Sequence, residues 1–263
     1  MLNGKVIFEN EVPPFITISE PSPALADIVS YYFEIEKPGK DGALTALPGL
    51  HTLLAVPLQE SRRSFTAITG KHSLLNGPRI YGSLTHAGKA FYTKEAHEFS
   101  IKFQPGALAH LLRITPAELQ NNHLPAENYF PGKFIAALLN APSMQQRIVM
   151  AENYLAEKLH ARPIPTKTIL VQQALRRMNN ASDAGTPELA AHLALSIPTL
   201  NRYFREVLGY SPRQCYKLLR FRQALQAYRQ HGSNYAYRQA GYTDFSHFAR
   251  NAHELTRHKP SML

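Results

Sequence analysis

The stretch of sequence that decides the fold is ELAAHLALSIPTLNRYFREVL, residues 188–208. Its first half repeats apolar residues at helical spacing, and Ala194-Leu195 then leads into Ser196, a residue type that often begins a helix. Apolar residues at the same spacing follow: Leu200, Phe204, Val207 and Leu208. Two short helices joined by a turn of three or four residues form a helix-turn-helix. We therefore predict one here, with small Ala190 at the helix crossing and Leu195 filling the corner.

The second of these helices turns a polar face outward. That face carries Ile197, Pro198, Asn201, Arg202 and Arg205. An asparagine can pair with adenine through two hydrogen bonds, and an arginine can do the same with guanine. The face therefore suits reading of DNA bases, although an amphipathic helix pair without that function would show the same periodicity.

A second unit of the same kind follows a long helix. That helix begins at Ser211-Pro212 and runs to about Arg229, which is roughly 28 Å at 1.5 Å per residue. We then predict a short helix over 234–240, a turn, and a last helix over 245–255 capped by Asp244. This helix exposes Ser246, His247 and Arg250 and turns Phe248 and Leu255 inward. One turn of duplex is about 34 Å, so two such helices suit successive major-groove segments.

The charge of the chain is concentrated in this region. The net charge is +10, and residues 163–263 hold 14 Lys and Arg against 5 Asp and Glu, whereas residues 1–162 hold 15 against 14. Eleven of the 14 cations are arginines, which suit phosphate and guanine. A basic domain beside a nearly neutral one indicates a polyanion partner for the basic half.

These residues resemble the AraC/XylS family of bacterial transcription regulators. The matching stretches are LA at 189–190 through LS at 195–196, LNRYFR at 200–205, GYSP at 209–212, LRFRQA at 219–224, GYTD at 241–244 and SHFAR at 246–250. The resemblance covers residues 168–263 and implies two helix-turn-helix units on a long helix, with no enzymatic activity. More faintly, FQPG at 103–106 with Leu111-Leu112 resembles the N-terminal domain of one AraC-type subfamily.

The resemblance also implies which residues touch DNA. Base contacts are expected from Pro198, Asn201, Arg202, Phe245, Ser246 and Arg250. We expect phosphate contacts from Arg205, Arg213, Lys217, Arg220 and His247, helped by the amides at the start of the long helix. Tyr237, Ala252 and Arg257 depart from the family pattern, so we expect the second unit to read DNA less strongly than the first.

The first half of the chain has short β-type runs followed by helical ones. Candidate strands are 6–8, 15–18, 28–35, 51–56, 64–69, 90–93 and 99–103, although 24–32 also fits a helix. Helical spacing covers 107–112, 134–139 and 145–159. We predict an α+β protein of two domains. A β-rich barrel or sandwich with trailing helices occupies 1–160, a linker 161–167, and an all-α DNA-binding domain 168–263.

The sequence offers little support for an enzymatic, cofactor-binding or metal-binding function. It lacks the nucleophile elbow, phosphate loop and zinc-protease motifs, so we predict no enzyme and no cofactor. His51, His86 and His97 form no short-spaced ligand pair, so we predict no metal. Cys215 is the single cysteine and fits a packed thiol. The aromatic residues at 31–33 fit a core better than a ligand pocket.

We therefore interpret the chain as a sequence-specific DNA-binding transcription regulator controlled through its N-terminal domain. The first eleven residues are unlike a secretory signal, and no apolar run approaches the ~18 residues that span a bilayer, so we expect a bacterial, cytoplasmic, nucleoid-associated protein. A small-molecule effector and a homodimer stay open as partners. The alternative is a ligand-binding or protein-interaction module whose basic domain binds DNA only non-specifically. An enzyme acting on nucleic acid is a third class, for which we find no catalytic constellation.

Overall fold

The computed structural model describes residues 13–60, 63–180, 185–232 and 237–263. The predicted strand at 6–8 and residues 234–236 of a predicted helix lie outside this part, as do residues 181–184 of the polar segment 179–185, which the sequence predicts to be a loop. None of the helices in it is long and apolar enough to cross a membrane.

The N-terminal part is built from two antiparallel sheets. Its strands are β1 (Ile16–Ser19), β2 (Val29–Glu36), β3 (Gly42–Ala46), β4 (Thr52–Pro57), β5 (Arg63–Ala67), β6 (His72–Leu75), β7 (Arg79–Tyr81), β8 (Gly88–Tyr92), β9 (His97–Phe103) and β10 (His123–Pro125). One sheet has six strands in the order β1-β2-β9-β4-β7-β10, and the other has four in the order β3-β8-β5-β6. The predicted β-rich domain is confirmed, and the helical alternative for 24–32 is wrong except for one 3-10 turn, Pro23–Leu25.

Nine α-helices lie in the described part of the chain. They are α1 (Ala107–Leu112), α2 (Pro116–Leu119), α3 (Gly132–Asn140), α4 (Met144–Ala161), α5 (Thr166–Asn180), α6 (Thr186–His192), α7 (Ile197–Leu208), α8 (Pro212–His231) and α9 (Phe245–Thr256). Three further 3-10 turns are Ala126–Asn128, Tyr237–Ala240 and Pro260–Met262. The two-domain α+β architecture is confirmed. The boundary at 161–167 stays a prediction, and α4 and α5 leave only residues 162–165 between them.

The six-stranded sheet has a different core on each face. Side chains alternate along β2, so Tyr32 joins α1, α3 and α4 in one core while Tyr31 and Phe33 belong to a second core on the other face. On the helical side Arg147 of α4 donates to the Glu34 carboxylate at 3.1 Å and to the Leu138 and Ala141 carbonyls. This buried ion pair fastens α4 to the sheet.

The C-terminal helices enclose a separate core that also receives residues from the N-terminal part. Leu200, Phe204 and Phe248 are among its fully buried members. Leu50, which precedes β4, is 4% exposed and belongs to the same core, and Leu47 packs against it. The two domains are therefore in direct apolar contact.

Candidate nucleic-acid interface

The first helix-turn-helix consists of α6, a four-residue turn and α7. Ala190 is buried at the helix crossing, and its carbonyl accepts a hydrogen bond from the Leu195 amide at 2.8 Å. Ala194 in the turn has a left-handed φ of 51°. The Ser196 hydroxyl accepts from the Thr199 amide at 3.3 Å and so caps α7, as predicted.

One detail at the start of this unit differs from the prediction. The sequence Thr186-Pro187 favours Thr186 as the cap of α6 and Pro187 as its first residue, but the cap is Gly185 and Thr186 is the first helical residue. A Cβ on Gly185 would lie 2.5 Å from a carboxylate oxygen of Glu188. The absence of a side chain at Gly185 therefore lets the Glu188 carboxylate approach the positive end of the helix.

The outer face of α7 carries the residues that the sequence assigned to bases. Pro198 is exposed, and the Asn201 amide donates to the Ile197 carbonyl at 3.0 Å. Arg202 is 60% exposed, with its guanidinium 3.5 Å from Glu206 and 5.1 Å from the centre of the Tyr203 ring. Arg205 is exposed. These side chains share the solvent-facing side of α7, while their role at bases stays a prediction.

The connecting helix α8 has 20 residues, about 30 Å long. A capping box begins it, in which Ser211 and Gln214 exchange hydrogen bonds. Cys215 packs inside the core, and burial raises the pKa of its thiol far above the usual value. The thiol is therefore protonated at neutral pH.

The second unit is less regular than the first. A short helix was predicted over 234–240, and in the described part of that range the structure has a 3-10 turn, Tyr237–Ala240. Tyr237 is 5% exposed and packs against Phe245 and Phe248 at ring-centre distances of 5.4 and 5.3 Å. A large aromatic ring thus occupies the helix crossing where the first unit has Ala190.

The recognition helix of this unit, α9, begins at Phe245 as predicted and ends at Thr256, one residue later than predicted. Asp244 caps it by accepting from the His247 amide at 2.8 Å. Arg257 ends it with a left-handed φ of 60°, a conformation that costs a non-glycine residue roughly 1 kcal/mol. Ser246 and Arg250 are exposed. Phe245 is 39% exposed, and its ring lies 5.9 Å from that of Tyr228.

The residues assigned to phosphates differ in how far they are engaged inside the protein. Arg213 is exposed at the start of α8, and His247 is half-buried with its ring edge against Tyr242. Lys217 pairs with Glu254 of α9 at 2.6 Å. Hydrogen bonding to Lys217 holds the pKa of Glu254 below its usual range.

Arg220 is the most enclosed of this group. It donates to the Gly241 carbonyl at 3.0 Å, and its guanidinium lies 4.2 Å from the centre of the Tyr242 ring. Burial raises the pKa of Tyr242 to about 12. Arg220 thus ties α8 to the turn before α9, and a phosphate contact by this residue stays an untested prediction.

A cavity of about 210 Å³ lies between the two sheets of the N-terminal part. Arg222 of α8 reaches its wall and donates to the Pro48 carbonyl at 3.1 Å. Lys102 of β9 is 5% exposed and lies 3.1 Å from the Tyr31 hydroxyl. Burial, together with the charges of Lys102 and Arg222, holds the pKa of His51 well below the usual value.

This cavity was not predicted from the sequence. Phe33 lines it, but Tyr32 points to the helical core instead, where burial and nearby Glu152 raise the pKa of its phenol. From the sequence, His51 was considered only as a possible metal ligand. Lys102 and Arg222 are 120 positions apart, and only the packing of α8 against the sheets brings both to one cavity.

One group in the described part of the chain has ligand atoms close enough for a metal, Glu34, Glu36 and His97, within 4.8 Å of one another. Glu34 is already engaged, because it accepts from Arg147 and lies 2.7 Å from the His97 ring nitrogen. Charge on this buried carboxylate is therefore balanced by protein groups.

Two family models match the chain. Residues 189–263 match a helix-turn-helix domain, and residues 18–125 match a domain of unknown function, DUF6597. No curated protein matches it.

Similar solved structures include ToxT from Vibrio cholerae O395, which is 10% identical over 94% of this chain and 96% of that chain, with a TM-score of 0.45. Unsaturated fatty acid bound wild-type ToxT from Vibrio cholerae strain SCE256 is 8% identical over 96% of both chains, with a TM-score of 0.46. The AraC-like transcriptional activator CuxR is 17% identical over 82% of this chain and 88% of that chain, with a TM-score of 0.32.

The family match covers both units described above, from the first helix of one to the end of the other. The C-terminal part of the chain is therefore a helix-turn-helix domain that follows a DUF6597 domain, and a domain of this kind supports a DNA-binding transcription regulator.

Proposed function

We propose that the protein binds a specific DNA site by placing α7 and α9 in adjacent segments of one major-groove face. The observation that carries this proposal is the shared arrangement of the two helices. Each is capped by a side chain at its N-terminus, buries one face, and exposes polar residues in its first turns. The N-terminal turns of a recognition helix are the part that meets base edges.

The two helices have different residue sets for this task. On α7, Asn201 and Arg202 offer hydrogen-bond donors and acceptors that suit adenine and guanine. On α9, Ser246 and Arg250 offer polar groups, while the exposed edge of Phe245 suits a thymine methyl group. Arg205 and Arg213 are exposed, and their positive charges attract DNA phosphates whatever the base sequence.

The test is a comparison of selected and scrambled DNA. A site is first selected from a random pool with the full-length protein, and affinity for it and for a scrambled duplex is then measured over a salt series. We expect at least about a thousandfold preference for the selected site. Equal affinities would support the alternative of a basic module that binds DNA only non-specifically.

We propose further that the cavity binds a small organic anion and that this ligand controls DNA binding. The described residues that line it include four cations, Arg63, Lys71, Lys102 and Arg222, but only one carboxylate, Glu98, which pairs with Arg63. The lining is thus positively charged beside apolar walls such as Phe65 and Leu53.

Unpartnered polar atoms in the same lining support a ligand that forms hydrogen bonds. The Thr52 hydroxyl, Nε of Arg63 and Nδ1 of His123 are buried without a hydrogen-bond partner. Buried polar groups in proteins are almost always paired, so three such atoms around one cavity favour a polar occupant. Thr52 directly follows His51 on the wall shared with Lys102.

A matched pair of compounds tests the ligand class. Thermal unfolding of the full-length protein is measured with 4-phenylbutyrate and with 4-phenylbutan-1-ol, which share an apolar body but differ in charge. We expect stabilisation by the acid only, and its loss in Lys102→Met. Equal shifts with both compounds, or none with either, would contradict an anion site.

Because the target is DNA, we propose that the protein acts on the bacterial nucleoid in the cytoplasm. Homodimer formation stays a prediction from sequence.

A further inference from the structure

We propose that the loop between β7 and β8, residues 82–87, holds the C-terminal ends of α7 and α9 and thereby sets the separation of the two recognition helices. The inference rests on the proposed reading of DNA by both helices. It assigns the choice of DNA spacing to a loop of the N-terminal domain, which is outside the helix-turn-helix units.

The loop's first attachment is to the end of α7. Tyr210, two residues beyond that helix, is 1% exposed, and its hydroxyl lies 2.9 Å from the Ser83 hydroxyl. Burial raises the pKa of the Tyr210 phenol. Gly209, which ends α7 with a left-handed φ of 78°, sits so close to α2 that an added Cβ would lie 3.1 Å from Cβ of Pro116. The end of α7 is therefore pressed against the N-terminal domain.

The second attachment is to the end of α9. The Ala87 amide donates to the Leu255 carbonyl at 2.8 Å. Leu255 is in the last turn of α9, where carbonyls have no donor within the helix. A backbone amide of the N-terminal domain thus supplies a capping hydrogen bond to the second recognition helix.

The loop is itself fixed to its own domain. The Gly82 amide donates to the Asn122 carbonyl at 2.9 Å, and the Leu84 amide to the Gly49 carbonyl at 3.0 Å. The Thr85 amide and hydroxyl both donate to the Asn121 side chain, at 2.8 and 2.9 Å. An added Cβ on Gly82 would lie 1.4 Å from the Leu119 carbonyl oxygen. The loop cannot slide without breaking these contacts.

The spacing of the two attachments limits the geometry of the recognition helices. Ser83 and Ala87 are four residues apart, and four residues span at most about 14 Å. The C-terminal ends of α7 and α9 are therefore held at a bounded separation. Their N-terminal turns, about 18 Å away along 12-residue helices, remain exposed to DNA.

Within the DNA-binding domain, a buried hydrogen bond from the Tyr242 hydroxyl to the Asn251 side chain, at 2.6 Å, joins α9 to the turn before it. The Lys217–Glu254 pair between α8 and α9 is exposed, and such pairs contribute little to stability. A hydrogen bond between buried groups, such as Ser83 and Tyr210, holds a geometry more strictly than an exposed ion pair. Gly82 and Leu84 also line the cavity, so a bound molecule there touches the same loop.

The test varies the DNA spacing. The site selected by the full-length protein is remade with one base pair inserted or deleted between the segments that α7 and α9 protect. Affinities are measured for wild type, Tyr210→Phe, Ser83→Ala and, as a matched control, Tyr154→Phe. The Tyr154 hydroxyl is buried in the N-terminal domain without a hydrogen-bond partner, so its removal deletes no such bond.

We expect wild type and Tyr154→Phe to discriminate equally against the altered spacings. In Tyr210→Phe and Ser83→Ala the discrimination should fall about three- to tenfold. These variants lack the hydrogen bond between Ser83 and Tyr210, so binding at an altered spacing no longer requires that this bond be broken. Unchanged discrimination, or an equal loss of affinity on every spacing, would overturn the inference.

A failure of the proposed function looks different. If the wild-type protein does not distinguish selected from scrambled DNA, or binds all spacings alike, two-helix reading fails and the inference falls with it. If wild type discriminates but the two loop variants discriminate as well as Tyr154→Phe, only the inference fails.

Discussion

Replacing Arg202 by alanine should remove base recognition while leaving the fold intact. Its side chain is 60% exposed, and its contact with Glu206 at 3.5 Å is an i,i+4 surface pair worth about 0.3–0.5 kcal/mol. Its position over the Tyr203 ring adds about 0.5–1 kcal/mol at an exposed site. The free energy of unfolding should therefore fall by only about 1 kcal/mol.

The effect on DNA should be larger and confined to the specific site. A bidentate pair with guanine discriminates by about 1–3 kcal/mol, which is roughly 5- to 150-fold in affinity. Fluorescence anisotropy on the selected and a scrambled duplex at one salt concentration measures this. Arg177→Ala removes another exposed arginine, on α5, and serves as the control for charge. An equal loss on both duplexes in Arg202→Ala would show that Arg202 contacts only phosphate.

Three further outcomes are expected. Arg250→Ala should lower specific affinity less than Arg202→Ala on the same DNA, because Tyr237 occupies the helix crossing of the second unit; a larger loss would refute this ranking. The fragment 163–263 should give a helical circular dichroism spectrum and bind DNA, but melt below the full-length protein, since it lacks the N-terminal residues that pack on its core; a random-coil spectrum would refute its independence. Finally, because the pKa of His51 is lowered in the folded state, stability should be full above about pH 6.5 and fall as the pH drops toward the folded value. Thermal melts of wild type and His51→Gln between pH 5 and 8 measure this, and parallel profiles would refute it.

The helical half of the chain was largely predictable because its signals are local. Ser196, Ser211 and Asp244 cap α7, α8 and α9 as predicted, and each cap needs only the residues two or three positions ahead. The apolar spacing of the same helices is also a short-range property. Arg257 takes the left-handed conformation that its place after α9 requires, although glycine would take it without strain.

The strands were predicted only where side chains alone indicate them. β2, β4 and β9 are rich in β-branched and aromatic residues, and all three were found. β3, β6, β7 and β10 were missed. β7 and β10 have three residues each and pair with one another, with His123 opposite Tyr81, and β7 also pairs with β4 on its other side. The pairing of β7 with β10 joins residues more than 40 positions apart and leaves no periodic pattern.

The contacts between the domains were beyond sequence reasoning for the same reason. Ser83 and Tyr210 are 127 positions apart, and neither residue type signals a partner. The cavity likewise depends on Arg222. This residue lies in the stretch 219–224, which resembles a family of DNA-binding proteins, so the sequence indicates a role in DNA binding and not in ligand binding. Local patterns therefore identified the DNA-binding units but not how the N-terminal domain holds them.

The position of Arg222 has a consequence for regulation. It lies on the helix that joins the two DNA-binding units, and it also lines the cavity and donates to the Pro48 carbonyl. An anion bound in the cavity would compete with or add to that contact, so the free energy of ligand binding depends on the placement of α8. Coupling between two binding sites is reciprocal. If the ligand changes the affinity for the specific DNA site by a given factor, saturating DNA must change the affinity for the ligand by the same factor.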